Sequence, residues 1–241
     1  MVTINSNYAA SFAANAAKQT QNNLNSAMEK LSTGKRINFA KDDAAGIAVA
    51  MRLDAEISGL AVASRNASDG QALIDTADGA LKESHSLLIR MRELAVQAQN
   101  GTMTTADKTA LGVEFDALEA EVTRISDNTT WAGTKILDGS FSANGINFRV
   151  GSAENITHKI SNMSATAIGL VAANTVAHAD TITNLDAAIA EMSEERAKLG
   201  GVSNRLDSTV SNLDQIRVNL TASRGRVEDA DFAQETGNLV K

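Results

Sequence analysis

The 241-residue sequence contains no cysteine and no proline, and aromatic residues make up only 3% of it. Without cysteine there is no disulfide framework, no thiolate metal site and no cysteine nucleophile. Without proline nothing in the chain removes a backbone donor or forces a kink, so helices can run uninterrupted for many turns. With so few rings a core cannot draw much of its buried area from them. Small aliphatic side chains on closely packed helices have to supply it. Positive charge is also scarce: 22 Lys and Arg stand against 29 Asp and Glu, a net charge of −7. That balance excludes a nucleic-acid binder, because neutralising phosphates takes a basic face. The one basic cluster, Lys30, Lys35 and Arg36, is small and reads as a solvated helix end. No window reaches the roughly 18 apolar residues of a membrane span. The opening stretch "MVTINSNYAASFAANAAKQTQ" has neither the charged leader nor the continuous apolar run of a secretory signal.

What the sequence does have is apolar spacing of three and four residues. From Leu53 it runs through Ile57, Leu60, Ser64, Ala67, Gly70, Ile74, Ala77, Leu81, Ser84, Leu88, Met91 and Ala95, about six heptads. A helix from 43 to 99 would be about 85 Å long at ~1.5 Å per residue, with Asn100-Gly101 ending it. A second helix, capped by Thr104 or Thr105, carries Leu111, Phe115, Leu118, Val122 and Ile125 and stops at "SDNTTWAG". A third carries Ile182, Leu185, Ile189, Met192, Leu199, Val202, Leu206, Val210, Leu213, Ile216 and Leu220 and can reach Val227. Stripes of this length predict a coiled-coil rod. Between the second and third helices the period changes to two: Ile146, Phe148 and Val150 alternate after Asn144-Gly145, a hairpin signal. Residues 152 to 178 form a Ser, Asn, Thr and Ala loop region with room for a short strand or helical turn. The first 33 residues make a Gln/Asn-rich helix with a thin stripe of Tyr8, Phe12, Ala16, Leu24, Met28 and Leu31. It is marginal alone and needs a partner helix.

Candidate sites are few. Asp42 and Asp43 could hold a metal or act as an acid/base pair, but no third ligand or histidine accompanies them. At the head of the long helix they read as a cap and a favourable charge near the positive dipole end. His85, His158 and His178 are scattered, and no H-E-x-x-H or G-x-S-x-G occurs. "STGKR" has Glu29 where a phosphate-binding loop needs Gly and Arg36 where it needs Ser or Thr. The sequence therefore predicts no catalytic, cofactor-binding or metal site. In "LIRMRELAVQ", Arg90, Arg92 and Glu93 flank the seam, and Ile89 and Leu94 add apolar area outside the strict stripe, a hint of a second contact surface.

Six blocks in order resemble the bacterial flagellins. They are "NLNSAMEKLSTGKRINFAKDDAAGIAVAMRL", "ASRNASDGQALIDTADGALKE", "IRMRELAVQAQNGT", "WAGTKILDG", "AIAEMSEERAKLGGVSNRLDSTVSNL" and "NLTASRGRVEDADFAQET". The resemblance implies a structural subunit of the extracellular flagellar filament that polymerises with itself for motility, and no enzyme. It implies export through the flagellar type III apparatus without a cleaved signal peptide, and no membrane insertion. It also implies that Arg90, Leu94 and Glu114 lie on a face that meets either a neighbouring subunit or the vertebrate flagellin-sensing Toll-like receptor. The expected fold is mainly α: a long antiparallel coiled-coil rod (43–138 and 179–228) with a small β-hairpin and short variable loop region (139–178). An N-terminal helical arm and linker (1–42) would precede the rod, and the start of a truncated C-terminal arm (229–241) would follow it. Family members run on past "FAQETGNLVK", so the resemblance implies that the arm's partner helix is missing; members also often carry domains inserted after the hairpin, where only 152–178 stand here, which implies a smooth exterior. The hook–filament junction protein shares such helical ends but would match the "RMRELAVQ" and "RLDSTVSNL" blocks more loosely. A truncated flagellin keeping only partner recognition, an unrelated coiled-coil adaptor, and a filament-borne zinc protease are the further alternatives. The last needs an inserted H-E-x-x-H domain.

Overall fold

Helix α1 (Tyr8–Thr33) opens the computed structural model, which describes residues 7–151, 154–170, 176–178 and 180–240. It is followed by α2 (Ala44–Ala98), α3 (Thr105–Asn128), β1 (Thr130–Trp131), β2 (Thr134–Lys135), β3 (Ile146–Arg149), β4 (Asn155–His158), α4 (Thr181–Glu228) and α5 (Phe232–Val240). The fold is mainly α, with long helices packed against each other. The strands form two small antiparallel pairs, β1 with β2 and β3 with β4. Two compact units share α2 and α4. One runs up to Ala61 and resumes at Gln215; the other is Val62–Asp214.

The helix boundaries follow from local chemistry. Asp43 caps α2, its Oδ1 accepting the Gly46 N–H at 2.9 Å. Asp42 does something else. Its Oδ2 accepts the N–H groups of Phe39 at 2.9 Å and Asn38 at 3.2 Å, which hold its carboxyl below the ordinary carboxylate range. The acidic pair is thus divided between closing the preceding loop and starting the helix. Thr104 caps α3 in a reciprocal box with Asp107: each side chain accepts the other residue's backbone N–H.

In the Val62–Asp214 unit, α2 and α4 are antiparallel. Ser64 donates to Asp214 at 3.4 Å, Asp78 receives Arg196 at 2.7 and 3.2 Å, and Arg92 donates to Asp186 at 2.6 Å. Between them lie Ile74, Leu81, Leu88, Met91, Leu185, Met192, Leu199 and Leu206, all buried and in one core with Phe115 and Val122 of α3. The hairpin exists, but its turn is not at Asn144-Gly145. Gly145, at φ +69° and with its N–H bonded to Phe141 O, leads into β3. A Cβ there would lie 2.8 Å from His158 O. The chain reverses between Val150 and Glu154, whose carbonyl accepts the Val150 N–H at 3.1 Å. Phe148 stands opposite Ile156, and both are buried. The β1–β2 reversal was not legible as strand. Its loop, Ala132-Gly133, has φ +48° and +83°, the signs a two-residue hairpin turn needs.

In the other unit, the polar α1 is covered over part of its length by α5. Ala27 is buried, Leu24 and Leu31 are half-buried, and Lys30 pairs with Glu235 at 3.4 Å. The basic cluster is therefore not simply solvated. Lys35 reaches Glu228 at 2.5 Å, and the Arg36 guanidinium donates to Val227 O at 2.7 Å. These are cations placed at the carbonyl end of α4, where the helix dipole favours them. The Arg36 N–H to Glu228 O and Ala230 N–H to Gly34 O bonds tie the loop after α1 to the segment between α4 and α5. The predicted variable region falls partly outside the described residues, at 152–153 and 171–175, as do positions 1–6 and 241 of the two arms.

Candidate interaction face

The face predicted around Arg90 is built by the period of α2. Leu88, Met91, Leu94, Ala95 and Ala98 point into the core, which leaves Ile89, Arg90, Arg92, Glu93 and Val96 outside. Arg90 reaches across to α3. Its Nε donates to Glu114 Oε1 at 3.0 Å, while Nη1 donates to Glu93 Oε2 at 3.0 Å. Glu114 first and Glu93 second hold the guanidinium more firmly protonated than usual. All three side chains remain about half exposed, at 50%, 46% and 61% for Arg90, Glu114 and Glu93. At such exposure water screens the ion pair and leaves it little stabilising weight. It fixes the direction of the charges more than it holds the helices. On the flank, Ile89 and Val96 of α2 and Val113 of α3 are exposed apolar side chains.

The structure therefore brings Arg90 and Glu114 together and separates them from Leu94, which is 1% exposed. Leu94 belongs to the core, not to a second surface beside Ile89. Sequence reasoning also missed Arg92–Asp186, the link from the same stretch to α4. The signal available was one of spacing, since Arg90 and Arg92 point to opposite flanks of the buried stripe and each finds an acid on a different helix. Chemically the face can offer a fixed cation framed by carboxylates and short apolar steps. That suits recognition of another surface, with no side chain poised for proton or electron transfer. Among the described residues no cluster of His, Asp or Glu could hold a metal ion, and no helix is long and apolar enough to cross a membrane.

Two family models match the chain: the bacterial flagellin N-terminal helical region over residues 4–142 and the C-terminal helical region over 182–241. A flagellin of Halalkalibacterium halodurans is 42% identical over 231 residues, covering 92% of this chain and 85% of that one. The chain belongs to the bacterial flagellin family. A Bacillus subtilis flagellin is 38% identical over 275 residues, covering 99% of this chain and 90% of its own length. Among solved structures, a Bacillus cereus flagellin superposes with a TM-score of 0.53 at 30% identity, covering 62% of this chain and 88% of that one. A putative flagellar hook-associated protein from Vibrio parahaemolyticus shares the fold alone, at 12% identity and a TM-score of 0.54. The family is structural and not enzymatic, and this flagellin is a subunit of the extracellular flagellar filament, a self-polymer.

Proposed function

We propose that the subunits polymerise by covering the apolar side chains that α1 and α5 leave in solvent, and that the Arg90–Glu114 face is a second contact between neighbours. The supporting observation is exposure: Tyr8 is 82%, Phe12 67%, Met28 55%, Phe232 56% and Val240 86% exposed. Burying one such large side chain contributes about 1.5–3 kcal/mol, so a few per subunit, repeated along a polymer, suffice to drive assembly. Contacts of this kind between unlike faces give an open helix where the rotation between subunits does not close a ring. Seeded polymerisation followed by sedimentation and electron microscopy tests the idea. Tyr8→Ser with Phe12→Ser raises the protein concentration needed for filaments and leaves the thermal midpoint of the monomer unchanged. Polymerisation equal to the parent refutes it. Arg90→Glu lowers polymer yield on the same assay, and adding Glu114→Arg restores part of the loss if the pair is read as a pair by the neighbour.

The exposed Arg90 and Glu114 also support recognition by the vertebrate flagellin-sensing Toll-like receptor, with Leu94 acting from within the core. An Arg90→Ala subunit that activates receptor-bearing cells as well as the parent removes that role. Export through the flagellar type III apparatus is the route that the resemblance supports. Loss of the subunit from the medium of an export-deficient strain, with retention in the cell, is its test.

A further inference from the structure

The chain contains Asn-Gly at two places outside helices, Asn100-Gly101 and Asn144-Gly145. The structure puts them in opposite chemical situations. Asn100 and Gly101 are exposed in the connection between α2 and α3. The Asn100 side-chain carbonyl accepts the Thr102 N–H at 3.2 Å, which keeps that side chain folded back over the Asn100–Gly101 peptide. Among the described residues, no acceptor takes the Gly101 N–H. Gly101 does not adopt a left-handed φ, and a Cβ on it would meet nothing within 4 Å. Neither backbone conformation nor packing therefore asks for glycine there. Gly145 is the reverse case. Its N–H is bonded to Phe141 O at 3.0 Å, its φ is +69°, and a Cβ on it would stand 2.8 Å from His158 O and 2.9 Å from Thr157 Cγ2.

We propose that Asn100 is a site of spontaneous deamidation in the folded subunit and that Asn144 is protected. The Gly101 amide nitrogen, deprotonated by solvent base, attacks Asn100 Cγ. A new N–Cγ bond forms, and the Cγ–Nδ2 bond breaks, releasing ammonia with a proton from water. Water then opens the resulting succinimide at either carbonyl, leaving aspartate or isoaspartate. Glycine permits this because no side chain shields its nitrogen or restricts the rotation the attack requires. Asn25-Ser26 and Asn66-Ala67 also have small successors, but they lie inside α1 and α2, where the helical backbone holds the following N–H away from the side chain. The product carries a new negative charge two residues beyond the carbonyl end of α2, where the helix dipole disfavours it. The isoaspartate form adds a backbone atom to the corner that sets α3 against α2. Subunits would thus acquire, with age, a more acidic form altered at that one corner.

The test incubates the purified full chain in mildly alkaline buffer and follows both sites by peptide mapping and mass spectrometry. Methyltransferase labelling identifies isoaspartate. In the folded protein, conversion at Asn100 is expected to be at least about tenfold faster than at Asn144, a barrier difference of about 1.4 kcal/mol. In denaturant the two rates converge, since both are then plain Asn-Gly. Gly101→Ala suppresses conversion at Asn100 without lowering the thermal midpoint. Equal rates at the two sites in the folded chain, or an Asn100 rate unchanged by Gly101→Ala, overturns the proposal.

Discussion

Replacing glycine by alanine at two positions of α2 sets helix propensity against packing and gives results of opposite sign. Gly79 is exposed, and a Cβ built on it meets nothing within 4 Å. Alanine is better than glycine in a helix interior by about 1 kcal/mol, and nothing opposes that gain. For a unit the size of Val62–Asp214 it corresponds to roughly 2–4 °C in the thermal midpoint. Gly70 is buried under the ring of Phe148, where a Cβ would stand 2.7 Å from Cδ1 and 3.0 Å from Cε1. The propensity gain is the same, but crowding a packed core costs about 1–3 kcal/mol. The ring cannot swing away cheaply, because β3 is pinned to β4 with Phe148 opposite Ile156. Gly70→Ala therefore leaves stability unchanged or lowers it by up to about 2 kcal/mol, the difference of those two magnitudes. Calorimetry or circular dichroism melts of both variants measure this. A double-mutant cycle with Phe148→Leu attributes it, since the smaller, more flexible side chain relieves the clash and makes the pair non-additive. If Gly70→Ala stabilises as much as Gly79→Ala, the hairpin is not seated on the helix and the packing argument fails.

Three further substitutions test the two acids before α2 and one buried polar group. Asp43→Ala removes the cap of α2 and costs about 1 kcal/mol, with faster amide exchange at Gly46. Asp42→Ala leaves Gly46 protected and exposes the amides of Asn38 and Phe39; equal exchange behaviour in the two variants contradicts the division of labour. Burial pushes the His158 imidazole below its ordinary value of 6.5, with Glu195 opposing and Lys198 adding to the drop. Its Nε2 is buried and has no hydrogen-bond partner among the described residues. Between the folded value and 6.5 the unfolded chain binds more protons than the folded one, so stability falls as pH drops from neutrality through that window and the loss stops below it. Melts across the window show a shallower slope in His158→Gln. An unchanged slope would place the acid sensitivity elsewhere.

Helices were legible because their signal is local and repeated. Ile74, Leu81, Leu88 and Leu185, Met192, Leu199 recur at a spacing only a helix can gather on one side, and the chain has no proline to interrupt them. Turns were less legible because one dipeptide serves several geometries. Asn144-Gly145 has the composition of a hairpin turn, yet the positive φ at Gly145 is used to enter β3 under His158 O, and the reversal comes later, ahead of Glu154. The two-residue strands β1 and β2 are too short to show any period.

Leu94 marks the limit of the heptad argument. A strict seam through Leu88, Met91 and Ala95 leaves Leu94 to one side, grouped with Ile89 as spare apolar surface. A seam of that width assumes one partner helix. In this stretch α2 has two: Arg90 is held by Glu114 of α3 and Arg92 by Asp186 of α4. Two neighbours bury two adjacent stripes, widening the apolar face to the broad arc of a helix in a bundle, and Leu94 falls inside it while Ile89 stays in solvent. The charges were the better guide. Arg90 and Arg92 straddle the buried arc, and their acids lie on different helices, one on each partner whose core side chains pack against α2.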